Sequence, residues 1–113
     1  PEKIIAFYIS KIFDDTIENY RSDWLNKAEL DIFIPSINTA IEYDGSYYHK
    51  KLIAQKREQT KNNLCIKNGV RLIRVREKEL RPYDECICIS NVDPANNQSI
   101  NKAITDTTIQ NAE

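Results

Sequence analysis

The sequence predicts one α/β domain in which helices cover a mixed β-sheet. Its 113 residues suffice for a single hydrophobic core. Hydrophobic residues make up 41% of the chain and only two glycines occur, which excludes a linker or a disordered tail. The hydrophobic pattern then alternates between helical and strand periods in the order helix, three strands, helix, strand, as in α/β domains.

The first two elements are a helix over residues 2–13 and a strand over residues 16–23. The helix is amphipathic, and we expect one buried face made of Ile4, Ile5, Tyr8, Ile9 and Ile12. The segment Phe13-Asp14-Asp15 ends it. The strand is predicted from its β-branched and aromatic residues, Ile17 and Tyr20.

The second and third strands form a hairpin around a turn at residues 35–38. Residues 28–34 alternate between apolar and other side chains, and the turn Pro-Ser-Ile-Asn follows directly. Residues 39–44 form the third strand, which Gly45 ends.

The C-terminal half begins with a helix from about residue 48 to residue 68, which lacks Pro and Gly and stops at Asn68-Gly69. Residues 70–75 are predicted to be a strand, residues 77–80 a helical turn and residues 85–92 a short last strand. In the polar tail, one weak helix that frays at its end is expected around Ile100, Ala103 and Ile104.

The turn sets the register of the hairpin: Ile34 pairs with Thr39, Ile32 with Ile41, Asp31 with Glu42 and Leu30 with Tyr43. Because side chains alternate along a strand, one face of the hairpin is an apolar core face that carries Leu30, Ile32, Ile34, Ile41 and Tyr43. The other face carries Glu29, Asp31, Phe33, Glu42 and Asp44.

Four carboxylates on adjacent positions require compensation. Two like charges about 4 Å apart cost roughly 4 kcal/mol at an effective dielectric constant of 20, a large part of the roughly 5–15 kcal/mol that stabilises a domain. Arg or Lys partners, a raised carboxylate pKa or a bound divalent cation would each compensate. Hard oxygen ligands suit Mg²⁺ or Mn²⁺ rather than zinc. The alternative is a solvated polar strand face without a ligand.

The net charge of −1 conceals a basic block. Residues 50–78 carry a net charge of +8, whereas residues 1–49 carry −5 and residues 79–113 carry −4. Such a block can bind phosphate, or it is a solvated helix with exposed strand positions. No apolar run approaches the roughly 18 residues that cross a membrane, and the first residues show no signal peptide. We therefore expect a cytoplasmic protein without a membrane partner.

Three cysteines occur, at positions 65, 86 and 88. A zinc site needs about four ligands, usually presented as two CxxC-like pairs, and the one close pair here has CxC spacing. We expect free buried thiols in a reducing compartment.

Three runs of residues resemble the PD-(D/E)xK nuclease superfamily, and within it the branch of very-short-patch-repair endonucleases: Glu29-Leu30-Asp31-Ile32-Phe33-Ile34-Pro35, Ile41-Glu42-Tyr43-Asp44-Gly45 and Tyr48-His49-Lys50. The similarity covers about residues 1–80. It implies a restriction-endonuclease-like fold, a mixed sheet flanked by helices, with an endonuclease-like domain at residues 1–93. Residues 94–113 are then a polar tail or weak helix of the same domain. Such domains often follow zinc ribbons, and the chain starts without methionine, so further N-terminal domains are expected.

The resemblance assigns roles position by position. Asp31 and Glu42 match the family's metal ligands, and the carbonyl of Tyr43 matches its backbone ligand. Glu2 matches an acidic residue of the first helix that helps to hold the metal or its water. His49 lies where the short-patch-repair relatives have a catalytic histidine.

The sequence departs from the family pattern at Asp44, where the family has lysine. In related branches a lysine of the next helix takes this place, and Lys61, Lys50 and Lys56 are the candidates. Alternatively, Asp44 adds a metal ligand and His49 handles the proton.

The expected function is that of a Mg²⁺-dependent endodeoxyribonuclease, with Mn²⁺ as the other suitable ion, which hydrolyses DNA phosphodiester bonds. The expected phosphate contacts come from Lys50, Lys51, Arg57, Arg74 and Arg76. Two alternatives stay open. One is a catalytically inactive DNA-binding module of a larger protein, because the usual lysine is missing. The other is a protein-interaction domain whose carboxylate face serves only solubility.

Overall fold

The computed structural model describes residues 2–46 and 52–110, without the side chains of Glu2 and of residues 97–100. Within these residues a five-stranded mixed sheet is covered by three α-helices. The predicted α/β class is therefore confirmed.

The elements follow in chain order: α1 (Glu2–Ser10), β1 (Ile17–Tyr20), β2 (Leu30–Ile34), β3 (Thr39–Asp44), α2 (Leu52–Lys67), β4 (Arg71–Glu77), β5 (Ile87–Val92) and α3 (Asn97–Gln110). Short 3₁₀ helices occupy Asp23–Leu25 and Pro35–Ile37. The strand order in the sheet equals the chain order. Strands β1 to β3 form an antiparallel meander, whereas β4 and β5 continue the sheet in parallel to β3.

The hairpin of β2 and β3 has the predicted register. Ile32 pairs with Ile41 and Ile34 with Thr39. The turn is a 3₁₀ helix that ends at Asn38, whose φ of 48° lies in the left-handed region that Asn tolerates. The Asn38 side chain donates a hydrogen bond of 2.7 Å to the carbonyl of Gly69, which ties the turn to the start of β4.

Both faces of the sheet are buried, including the hairpin face that was predicted to carry the carboxylates. On one face, α1 and α3 cover an apolar cluster that includes Ile32, Ile34, Ile41, Ile73 and Val75. On the other face, α2 and the 3₁₀ helix Asp23–Leu25 cover a second cluster, to which Leu30 belongs instead of the first. The second cluster is made of Leu25, Leu30, Phe33, Ala40, Cys65, Val70 and Leu72.

Helix α1 turns a different stripe inward from the one expected. Ile5, Ala6 and Ile9 are buried, whereas Ile4 and Tyr8 are each 44% exposed. The helix has only nine residues and ends before Ile12, which is also exposed. The sheet is thus covered by a narrow stripe at positions i, i+1 and i+4.

Helix α3 is longer and better packed than the weak, frayed helix expected in the tail. It spans 14 residues, and its Ile104, 1% exposed, joins the cluster beneath α1. The buried hydroxyl of Thr108 donates a hydrogen bond of 2.7 Å to the carbonyl of Ile104, so it is satisfied within the helix. In the part of the chain that the structure describes, no helix is long and apolar enough to cross a membrane.

Candidate functional site

The hairpin brings the carboxylates of Asp31 and Glu42 together on the face that α2 covers. The two residues directly adjoin the pair of Ile32 with Ile41 along the two strands, and their side chains are hydrogen-bonded to each other. The backbone N–H of Tyr43 on β3 donates a hydrogen bond of 3.0 Å to Oδ2 of Asp31 on β2, which holds that carboxylate against β3. Glu42 is 4% exposed, whereas Asp31 keeps partial contact with solvent.

A lysine of the next helix reaches this pair. Nζ of Lys61, on α2, donates a hydrogen bond of 2.8 Å to Oε1 of Glu42. Lys61 was one of three candidates for the lysine missing at position 44. Of the other two, Lys56 lies on the exposed side of α2 and Lys50 lies outside the described residues.

One lysine faces two carboxylates, so the charge of the pair is compensated in part by Lys61 and in part by a raised pKa of Glu42. Burial, and then the charge of Asp31, raise the pKa of Glu42 from 4.5 to about 8, although Lys61 acts in the opposite direction. At neutral pH, Glu42 therefore retains a proton in the absence of a cation, and a bound cation would take the place of that proton.

The donor set fits Mg²⁺, which proteins usually bind through one or two carboxylates while it keeps several waters. Asp31 and Glu42 would supply these carboxylates, and the peptide of Tyr43 lies beside them. Over residues 2–46 and 52–110, no group of three or more His, Cys, Asp or Glu side chains has a metal-binding arrangement. The side chain of Glu2 and all of His49 lie outside the described residues.

The other two carboxylates of the hairpin have their own partners. Oε2 of Glu29 accepts hydrogen bonds of 2.8 Å from the exposed Arg21. Asp44 is 1% exposed, and its Oδ1 lies 2.9 Å from Nη1 of Arg74. Its Oδ2 accepts a hydrogen bond of 2.9 Å from Nη1 of Arg76.

These contacts correct two expectations. Asp44 does not face the cleft as an additional metal ligand, because both of its oxygens accept hydrogen bonds from buried guanidinium groups. Arg74 and Arg76 share one face of β4 as predicted, but they are 1% and 3% exposed. Their burial is incompatible with the expected contacts to DNA phosphates.

The two arginines belong to a buried network that fixes α2 on the sheet. Nη1 of Arg76 donates a hydrogen bond of 2.7 Å to Oε2 of Glu58. The same oxygen accepts a hydrogen bond of 2.5 Å from the hydroxyl of Tyr83. Nε of Arg74 donates a hydrogen bond of 2.7 Å to Oδ1 of Asn62. Among the described residues, no buried side-chain N or O atom lacks a partner.

This network positions the lysine of the site. Glu58 and Asn62 lie on α2 three residues before and one residue after Lys61. They anchor that turn of the helix against β4, and Lys61 then extends to Glu42 on β3. The sequence had indicated no role for Asn62 or Tyr83, because their hydrogen-bond partners are distant along the chain.

A cleft of about 630 Å³ opens beside the carboxylate pair, between α2 and the segment that leads into β2. Asp31 and Lys61 lie in its wall, together with three exposed cations, Lys27, Lys56 and Arg57. Arg57, expected to contact DNA, is thus placed at the cleft. The expected contacts of Lys50 and Lys51 fall outside the described residues.

The site is therefore a carboxylate pair, with Glu42 buried and Asp31 partly exposed, held beside Lys61 at the edge of a cleft that carries both cations and carboxylates. Comparison with models of protein families, with curated proteins and with solved structures found no match. The function proposed next is supported by the side chains of this site and by the sequence motifs around them.

Proposed function

We propose that this chain is a Mg²⁺-dependent endodeoxyribonuclease with a restriction-endonuclease-like fold, of the PD-(D/E)xK type that its hairpin motifs resemble. The observation that carries the proposal is the hydrogen bond of 2.8 Å between Lys61 and Glu42. Lys61, on α2, thereby takes the place of the lysine that the motif would have at position 44 of the strand. The sheet agrees with such a fold, because β1, β2 and β3 pair antiparallel whereas β3, β4 and β5 pair parallel.

The proposed reaction is hydrolysis of a DNA phosphodiester. Asp31 and Glu42 would hold the ion, which, when bound, supplies a water of lowered pKa and neutralises charge on the attacked phosphate. Lys61 keeps its ammonium group beside Glu42 and in the wall of the cleft. There it orients the attacking water and offsets the negative charge of the reacting phosphate.

The remaining residues of the cleft bind and orient the substrate. Lys27, Lys56 and Arg57 carry three positive charges along a wall that also contains Asp31. Phosphate contacts of this kind position the nucleic acid without reading its sequence. The tie between Asp31 and the N–H of Tyr43 keeps that carboxylate in one orientation while the substrate binds.

The test is cleavage of supercoiled plasmid with Mg²⁺, Mn²⁺ or EDTA by the wild-type protein, Asp31→Ala and Glu42→Ala. Asp93→Ala is the control, since it removes an exposed carboxylate that is paired with Lys78 away from the cleft. We expect metal-dependent nicking or linearisation by the wild type and Asp93→Ala, and none by the other two. Cleavage by Glu42→Ala at the wild-type rate would refute the site.

Lys61 is tested separately. Lys61→Met should lower the cleavage rate about 10²- to 10⁴-fold, the usual contribution of a positioned acid–base group. The control is Lys56→Met, one or two turns away on the same helix, which should weaken binding of DNA but keep the rate at saturating substrate. Equal rates for the two variants would show that Lys61 has no role beyond general charge.

A second candidate function is DNA binding without cleavage, and the replacement of the strand lysine by the buried Asp44 favours it. A protein of this kind would shift DNA in a gel equally with Mg²⁺ and with EDTA, and neither metal would yield cut plasmid. Binding that needs Mg²⁺ and is lost in Glu42→Ala would exclude this candidate.

A further inference from the structure

Two half-buried cysteines face each other where β5 begins. Cys86 and Cys88 flank Ile87, and their sulfur atoms are 3.7 Å apart. The N–H of Tyr83 lies 3.3 Å from Sγ of Cys88. The third cysteine, Cys65, is fully buried in the cluster beneath α2.

The sulfur pair does not have the surroundings of a zinc site. A structural zinc ion needs about four ligands, and no group of three candidate ligand side chains exists within the residues described. Cys86 instead lies in the wall of a surface recess of about 310 Å³, beside Arg71 and Asp84. A small molecule can therefore reach Cys86 from this recess, and Cys88 is itself partly exposed.

We propose that Cys86 and Cys88 form a dithiol–disulfide redox site that takes low-molecular-weight disulfides as its oxidant. The geometry supports it, because two thiols in contact need to close only from 3.7 Å to about 2.05 Å to form a bond. In addition, the pairing of β4 with β5 places Cys88 opposite the positively charged Arg74.

The surroundings divide the roles of the two sulfurs. The hydrogen bond between the two sulfurs, with the N–H of Tyr83 and the charges of Arg76 and Arg74, lowers the pKa of Cys88. The same hydrogen bond, together with burial, raises the pKa of Cys86. In the proposed reaction Cys88, whose sulfur also accepts from the N–H of Tyr83, is the attacking thiolate and Cys86 the resolving thiol.

The reaction balances with one small disulfide. The thiolate of Cys88 attacks one sulfur of the oxidant, whose S–S bond breaks, and the first small thiolate leaves and takes up a proton. Cys86 then loses its proton and attacks Sγ of Cys88, which displaces the second small thiol. In total, two electrons and two protons pass from the protein to the oxidant, which becomes two thiols.

Closure of the pair acts on the network that holds α2. Glu85, next to Cys86, accepts hydrogen bonds from Gln59 and, at 3.1 Å, from Asn62. Tyr83, which contacts Cys88, donates to Glu58. Because both attachments start from residues beside the two sulfurs, we expect disulfide formation to loosen the turn of α2 between residues 58 and 62.

The first test exposes the whole protein to graded ratios of reduced and oxidised glutathione, followed by acid quenching, alkylation of free thiols and mass spectrometry of the intact chain. The wild type and the control Cys65→Ser should lose two hydrogens and retain no glutathione, reversibly. Cys86→Ser should trap one glutathione on Cys88, and Cys88→Ser should react at least about tenfold more slowly at pH 7, as expected for a less ionised thiol.

Two results would overturn the redox site. One is a wild type whose three thiols all remain open to alkylation after unfolding in acid. The other is a wild type that keeps glutathione attached as Cys86→Ser does, because the second thiol then fails to resolve the mixed disulfide. Neither readout uses DNA cleavage, so both are independent of the proposed nuclease activity.

The link to α2 has its own readout in hydrogen–deuterium exchange. Peptides that cover residues 58–62 should exchange faster in the oxidised wild type than in the reduced protein, while those of the β2–β3 hairpin turn should not change. In Cys86→Ser, residues 58–62 should exchange after oxidant treatment at the same rate as in the reduced wild-type protein. Equal exchange of these residues in both states of the wild type would refute the coupling.

Discussion

Replacement of Asp44 by lysine would introduce the strand lysine of the proposed nuclease type, yet we expect it to destabilise the protein without enhancing activity. In the structure, the Asp44 carboxylate is 1% exposed and lies between two buried guanidinium groups. An ammonium group at this position would add a third cation to Arg74 and Arg76. Glu58 would remain as an ion-pair partner of Arg76 in the described part of the chain.

The magnitude follows from what each substitution leaves buried. Loss of one partner of a buried ion pair costs about 3–5 kcal/mol, which is the expectation for the nearly isosteric Asp44→Asn. For a domain of this size, about 1 kcal/mol corresponds to about 4 °C in Tm, so Asp44→Asn should melt about 12–20 °C lower. Asp44→Lys adds like-charge repulsion of up to roughly 4 kcal/mol at about 4 Å, which consumes most of a stability of about 5–15 kcal/mol.

The assay is urea and thermal unfolding followed by circular dichroism at pH 7. The matched control is Glu29→Lys on the same hairpin, which breaks an ion pair whose arginine side chain is 73% exposed. It should cost only about 1 kcal/mol or less. Plasmid cleavage at a temperature where the variant is folded completes the comparison, and Asp44→Lys should not exceed the wild-type rate.

A Tm of Asp44→Lys within about 4 °C of the wild type, a change of about 1 kcal/mol, would refute this reasoning. It would mean that Arg74 and Arg76 are not held by a buried carboxylate, and that position 44 is open to the site. A rise in cleavage rate would lead to the same conclusion, because the new lysine would then act where Lys61 is proposed to act.

Three further predictions concern stability. Because folding raises the pKa of Glu42 to about 8, the folded state binds the proton of this carboxyl more tightly than the unfolded state does. The free energy of unfolding should therefore fall by at most about 5 kcal/mol between pH 4.5 and pH 8. Urea unfolding of Glu42→Gln should lack most of this pH dependence. Ile104→Ala should cost about 2–5 kcal/mol in the same assay, against about 0.5 kcal/mol for Ile109→Ala, which is 44% exposed. Tyr83→Phe should cost about 1–3 kcal/mol, since it removes a donor from the buried Glu58, and an unchanged urea midpoint would contradict this.

The hairpin could be predicted from sequence because its determinants are local. A four-residue turn with Pro at its start and Asn at its end set the pairing of Ile34 with Thr39. Strand alternation then placed Asp31 beside Glu42 without any knowledge of the remaining chain. The strand limits of residues 39–44 also agree with the structure.

Helix α1 shows where local pattern was insufficient. Its apolar residues at helical spacing offered more than one stripe, and the stripe of Ile5, Ala6 and Ile9 is buried because α3 and the sheet contact that side. Helix α3 itself was underestimated, since its stability depends on burial of Ile104 in a core contributed by distant strands.

The sequence by itself determined that four carboxylates share one face of a hairpin and require compensation, because both the pairing register and the alternation of side chains arise within sixteen consecutive residues, 29–44. Only the tertiary structure decided how each charge is compensated. Desolvation and ion pairing depend on which elements pack together. The packing of α2 on the sheet brings Lys61 to Glu42, and the parallel pairing of β4 with β3 buries Arg74 and Arg76 against Asp44.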